Sequence, residues 1–322
     1  MSLVIGYGRG RRREQEGRWS MTQSGWQAAA KETAIGVQPR IYSPGSTHVV
    51  GDGFHVRNLF PSHDLDRDVS PFLMLDYAGP THYPPTDHPR GVGEHPHRGF
   101  ETVTIVYQGM VAHRDSAGNA GVIGPGDVQW MTAASGVVHE ELHEREWAKR
   151  GGTLQAIQLW VNLPAAFKMT APRYQTLVKD RIPVIPLDGG AGSVRVIAGE
   201  FKGVKGPATT FTPVQLHDLR VKARHGTTLG FATGWNVALF VLEGRVTVNG
   251  SEPVTEAQVA VVGSSGAPIL VEAQQEATIL MMAGEPIREP IARYGPFVMN
   301  TKDELVQAVQ DYQAGKMGRL AI

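Results

Sequence analysis

From Pro39 onward, short apolar runs alternate with turn-forming residues. The runs include Thr102–Tyr107, Val122–Gly126, Leu154–Val161, Val194–Ala198, Val237–Leu242, Val259–Val262 and Thr278–Met282. They are rich in Val, Ile, Thr and Tyr, and Gly, Pro, Asp or Asn bounds most of them. Many short strands joined by close turns predict an all-β sandwich or barrel. One segment keeps a different period. Thr301 and Glu304 have capping-box spacing, Leu305, Val306, Val309 and Tyr312 form an apolar stripe, and Gly315 is a stop. This predicts one helix, over about 302–313.

A faint repeat divides the strands into two sets. Val106-Tyr-Gln-Gly-Met-Val111 resembles Val241-Leu-Glu-Gly-Arg-Val246, 135 positions further on. Repetition at about half the chain length implies two copies of one β unit. The predicted organisation is a flexible extension over 1–36, a first β domain over 37–170, a second over 171–290, and a C-terminal segment over 291–322 that carries the helix. The extension is set apart by Arg9, Arg11, Arg12, Arg13 and Arg18 and offers little to pack.

Composition narrows the function. Lys and Arg total 31, as do Asp and Glu, so the formal net charge is zero. A nucleic-acid surface normally shows as a basic surplus, so direct nucleic-acid binding is not expected. The absence of cysteine removes disulfides, thiolate metal sites and thiol catalysis together. No apolar run approaches the roughly 20 residues needed to cross a bilayer. A soluble cytoplasmic protein is expected, with no membrane partner.

Histidine is unevenly placed. Of the twelve, ten fall between His48 and His143. In a strand, side chains at i and i+2 share a face, so His95 and His97 point the same way. Continuing the parity adds Glu101, Val103 and Ile105, with Thr102 and Thr104 opposite. A second stretch, Gly126 to His143, puts His139 and Glu141 on one face. Two strands that each offer a pair of ligands can make a site of three imidazoles and one carboxylate. Such a set suits divalent iron, manganese, nickel, copper or zinc and disfavours calcium or magnesium. His48, His55, His63, His82, His88, His113 and His143 read individually as surface or hydrogen-bonded histidines.

These stretches resemble the two motifs of the cupin superfamily, small β-barrels with a metal in the mouth. More narrowly, HPHRGFETV at His95–Val103, PGDVQWMTAASGVVHEE at Pro125–Glu141, IQLWVNLP at Ile157–Pro164 and GEPIREPIARYGPFVMNT at Gly284–Thr301 resemble the pirin family. The likeness covers about residues 38–318. It implies a bicupin, two antiparallel β-barrels face to face, with one divalent metal, Fe(II) foremost, in the first. It implies His95, His97, His139 and Glu141 as ligands, with Glu101 as an outer-shell or alternate ligand. Carried forward by the repeat offset, His95, His97 and His139 fall on Gly230, Ala232 and Gln274, and no histidine follows His225. The second barrel therefore has no imidazole site of its own.

The resemblance further implies a quercetin 2,3-dioxygenase-like enzyme acting on a small aromatic flavonol with O2. Glu141 is expected to take the hydroxyl proton, with Val103, Ile105, Met131 and Val137 keeping water away from it. The Pro80–Pro89 loop is expected to rim the pocket. The alternative implied by the family is an iron-dependent, redox-sensitive regulator that binds a protein partner without turnover. A monomer is expected.

Overall fold

The computed structural model of the protein describes residues 37–60, 65–264 and 266–320. The arginine-rich extension and His63 lie outside these residues.

The first half supplies twelve strands. They are β1 Arg40–Tyr42, β2 His48–Val50, β3 Phe54–Asn58, β4 Phe72–Tyr83, β5 Gly91–His97 and β6 Phe100–Gln108. Then come β7 Val111–Asp115, β8 Ala120–Ile123, β9 Val128–Thr132, β10 Val137–His143, β11 Gly152–Asn162 and β12 Arg173–Leu177. A seven-stranded sheet in the order β12-β9-β6-β11-β4-β3-β2 faces a four-stranded sheet in the order β5-β10-β7-β8.

The second half repeats this plan. Its strands begin with β13 Val184–Pro186, β14 Gly192–Ala198, β15 Glu200–Phe201, β16 Val204–Lys205, β17 Val214–Val221 and β18 His225–Leu229. They continue with β19 Asn236–Glu243, β20 Arg245–Val248, β21 Val254–Thr255, β22 Val259–Ser264, β23 Ile269–Ala273 and β24 Ala277–Gly284. Here β1-β22-β19-β24-β17-β14-β13 faces β18-β23-β20-β21. The chain is thus an all-β bicupin. The repeat read from sequence falls on equivalent turns, since Gly109 and Gly244 sit at φ +84° and +89°. A side chain on Gly244 would meet the Glu276 carbonyl oxygen at 2.2 Å, and one on Gly109 would meet Leu154 at 2.7 Å. Only glycine fits either turn.

The boundary drawn at residue 170 does not separate the barrels, because each large sheet closes on a strand from outside its predicted domain. β1, placed in the first domain, pairs with β22 of the second barrel. β12, placed in the second domain, pairs with β9 of the first. An open sheet edge accepts whichever strand the fold brings to it, and local sequence carries no mark of the partner.

The two large sheets pack face to face. Val103, Ile105, Trp130 and Leu159 of the first barrel share one buried cluster with Phe240, Val261, Leu280 and Met282 of the second. Tyr77 and Phe240 meet edge to face at 5.0 Å. The inner face of the second barrel is filled by its own apolar cluster, including Leu239, Val241, Ile279 and Met281.

The C-terminal segment returns to the first barrel. It forms the hairpin β25 Ala292–Tyr294 and β26 Phe297–Met299, and then the helix Lys302–Gln313. The capping box is present, with the Glu304 N–H donating to Thr301 Oγ1 at 3.2 Å and the Thr301 N–H to Glu304 Oε2 at 2.8 Å. The buried face differs from the expected stripe: Leu305, Ala308 and Asp311 are buried, while Val306 and Tyr312 are exposed. Asp311 takes an inward place because it receives a hydrogen bond from the buried Arg98 at 2.9 Å.

Candidate metal centre

Neighbouring strands bring three imidazoles together. In the β10–β5 ladder His139 lies directly opposite His95, and Val137 opposite His97. The ladder then shifts by one residue between His139 and Glu141. Such a bulge re-aims side chains beside a site. The ring centroids of His95 and His97 lie 4.3 and 4.8 Å from that of His139. His95, His97 and His139 form one cluster with donor atoms within 4.8 Å of one another.

Their protons are fixed by what surrounds them. His95 Nδ1 lies 2.7 Å from the Gly93 carbonyl and His97 Nδ1 3.4 Å from the Pro296 carbonyl. A carbonyl only accepts, so each Nδ1 carries a proton, and in a neutral ring Nε2 is then bare. Yet those two Nε2 atoms are 3.1 Å apart. His139 Nε2 is buried with no partner. Burial pushes the His97 imidazole down to about 3 and His139 well below the usual histidine range, so both are neutral. Lone pairs crowded together with no hydrogen between them repel, and a shared cation removes that repulsion. The donor set fits a divalent metal.

Glu141 belongs to a second cluster, with His113 and His139. Its Oε1 accepts from Thr104 Oγ1 at 3.0 Å and Gln129 Nε2 at 3.1 Å, and its Oε2 from Gln158 Nε2 at 2.6 Å. These donors come from one row across the large sheet, Asn58–Asp76–Gln158–Thr104–Gln129, each directly opposite the next. The matching row of the second barrel is Val196–His217–Met281–Leu239–Ala260. One barrel carries polar groups where the other carries mostly apolar ones. Among the described residues, neither cluster draws on the second barrel.

His113, read from sequence as an ordinary histidine, proves to be part of the site. It lies opposite Glu141 in the β10–β7 ladder. His113 Nδ1 is 3.3 Å from both His139 Nδ1 and Gln129 Nε2, while its Nε2 is 3.4 Å from Asp115 Oδ2. Asp115 is anchored by the backbone N–H groups of Ala117 and Asn119, both at 2.9 Å. Burial would raise the Asp115 carboxyl, but hydrogen bonds from His113 and Asn119 prevail and hold it below the usual range. When His113 donates from Nε2 to Asp115, its Nδ1 is an acceptor for His139 Nδ1, and His139 Nε2 is then left bare. Such outer partners typically matter about 10–100-fold in metal affinity. His113→Ala is therefore expected to weaken metal binding by that factor while the fold persists, as measured by competition with a chelator. The available signal was the spacing His113-Arg-Asp115, an i, i+2 pair like His95 and His97.

Glu101 lies away from both clusters. The strand that carries His95 and His97 ends before Gly99, whose φ of +91° turns the chain and resets the parity. Val103 and Ile105 consequently face the second barrel and not the imidazole cluster, while Thr104 faces Glu141. Glu101 Oε1 accepts from Thr132 at 2.6 Å rather than from an imidazole. Burial lifts its carboxyl to about 7. A raised carboxyl favours the folded state below its unfolded range, near 4.5, and that contribution is lost as pH rises through about 7. Glu101→Gln should thus melt higher than the native chain at pH 8, the gap closing near pH 5, with metal content unchanged. Loss of metal in this variant would return Glu101 to the ligand set.

A cavity of about 280 Å³ opens beside the imidazoles. Its walls are Val50, Phe54, Val56, Met74, Ala78, Val92, Val111, Ala156 and Trp160, with Asp76, Thr104, Glu141 and Gln158 as polar points. The water-excluding residues expected from sequence are elsewhere, since Met131 and Val137 pack with Ala133 and Tyr174 in a separate cluster. The Pro80–Pro89 loop does not line the cavity, whereas Gly295 and Pro296 of the C-terminal hairpin do. His143 is buried beside Tyr83 and hydrogen-bonds the Gly53 carbonyl at 3.0 Å. His48, His55, His82 and His88 join neither cluster.

The chain thus has two cupin barrels, and among the described residues both histidine clusters belong to the first. The chain matches the pirin family over residues 53–161 and the pirin C-terminal cupin domain over residues 216–318. It is 50% identical to a Pseudomonas aeruginosa protein named "Putative quercetin 2,3-dioxygenase", over 87% of this chain and 97% of that one. It is 35% identical to mouse pirin, over 90% and 95% of the two chains. A crystal structure of quercetin 2,3-dioxygenase from Acinetobacter baumannii superposes with a TM-score of 0.85 at 46% identity, covering 88% of this chain and 99% of that one. The chain belongs to the pirin family.

Proposed function

We propose that this protein is a metal-dependent dioxygenase that opens flavonol-like substrates with O2. The observation that carries this reading is the three-imidazole cluster of His95, His97 and His139, two of whose rings line a largely apolar cavity. His95, His97, His139 and Glu141 would hold the metal, with Fe(II) the leading candidate. When bound, the metal supplies a Lewis acid and a shared point at which a hydroxylated substrate and dioxygen are brought together. The protein's own contribution is orientation and dryness. Trp160 packs at a tilt against Phe100 at 4.2 Å beside His97 and offers a flat wall to a planar ring. Pro296 fixes the His97 tautomer, and Thr104, Gln129 and Gln158 fix the Glu141 carboxylate. A largely apolar cavity beside the imidazoles supports turnover of a small molecule ahead of the purely regulatory alternative. The test is aerobic incubation of iron-loaded protein with quercetin. Loss of the flavonol with release of carbon monoxide is expected, and an inert iron-loaded protein would overturn the reading.

A further inference from the structure

The sequence pointed to Glu141 as the group that takes the substrate proton, but its surroundings leave it no room to do so. A carboxylate has about four lone-pair sites. Three accept from Thr104, Gln129 and Gln158, and ligation would use the fourth.

The second carboxylate in the cavity is differently placed. Asp76 stands one strand along from Gln158 in the same cross-sheet row and lines the cavity. Its Oδ1 accepts from Asn58 Nδ2 at 2.9 Å. Its Oδ2 receives no hydrogen bond from any described residue. Neighbouring strands lie about 4.8 Å apart, so Asp76 stands within a substrate's width of the Glu141 side of the pocket. In the second barrel the same row position holds the buried His217.

We propose that Asp76 is the general base of the reaction and accepts the proton from the hydroxyl group of a hydroxylated aromatic substrate. This rests on the flavonol reading above. In the step, the substrate O–H bond breaks and an O–H bond forms at Asp76 Oδ2. The electron pair stays on the substrate oxygen, and the proton is available to return to the product. Burial also holds the Asp76 carboxyl above its ordinary range, which suits a proton acceptor.

The test is an anaerobic titration of iron-loaded protein with 3-hydroxyflavone, followed by absorbance. Ionisation of a bound phenolic hydroxyl moves its band to longer wavelength. The native protein should produce the shifted band. Asp76→Asn should bind the flavonol with the unshifted band, keep its metal by elemental analysis, and lose kcat by about 10²–10⁴-fold with KM little changed. Asp76→Glu should restore part of both signals, which separates a chemical role from a structural one. A shifted band and full kcat in Asp76→Asn would overturn the base assignment alone. Failure of the native protein to bind or shift the flavonol would instead overturn the flavonol reading, and the base with it.

Discussion

His97→Ala is expected to emerge from an iron-loading experiment with less than about a tenth of the metal held by the native chain, and with no measurable flavonol turnover. Losing an outer partner of a ligand typically costs about 10–100-fold in affinity, and losing a ligand costs more. The fold should survive. His97 packs against both Phe100 and Trp160, at ring distances of 5.1 and 5.4 Å, and those rings keep their own contact without it. The variant also removes one of two Nε2 atoms that stand 3.1 Å apart. Metal-free variant and metal-free native chain should therefore melt within a few degrees of each other, while only the native chain gains stability when iron is added. Iron retained at one equivalent by His97→Ala would dismiss it as a ligand.

Arg98→Met should produce the largest loss of stability. Arg98 is almost fully buried and makes three connections: Nη1 to Asp311 at 2.9 Å, Nε to the Ser135 carbonyl at 2.7 Å, and its backbone to Pro296 and Val298. Removing one partner of a buried ion pair costs about 3–5 kcal/mol. The lower end applies here, because Lys316 and Gln307 still donate to Asp311. At about 2–4 °C per kcal/mol, Tm should fall by roughly 6–12 °C. Hydrogen bonds from Lys316, Arg98 and Gln307 hold the Asp311 carboxyl well below the usual range. The stability it contributes is present above the ordinary carboxylate range and is lost as pH falls through its lowered one. The difference between native and variant Tm should be constant near neutrality and shrink in acid. Equal melting at pH 7 would show that the C-terminal helix is not held through Arg98.

Features set by local chemistry were legible in the sequence. The His95–His97 pair, the His139–Glu141 pair, the capped helix and the twin glycine turns each depend on neighbours a few residues away. What was not legible depends on tertiary closure. Parity carried through Gly99 misplaced Glu101, Val103 and Ile105, because one left-handed residue reverses every later side chain. His113 looked ordinary because its partners, His139 and Gln129, come from other strands. Val306 and Tyr312 fit an apolar stripe on paper, but the buried Arg98 selects Asp311 for the inner face. The edge positions of β1 and β12 follow from which sheet lacked a neighbour, a fact absent from either segment.

The return of the C-terminal hairpin to the first barrel has a consequence for biosynthesis. The carbonyl that orients His97 belongs to Pro296, and the backbone that clasps Arg98 runs through Val298. A nascent chain with all four candidate ligands already outside the ribosome still lacks that oxygen until the whole second barrel and Pro296 have followed. Full organisation of the imidazole cluster therefore trails synthesis of the ligands themselves, and ion capture at native strength waits for the hairpin.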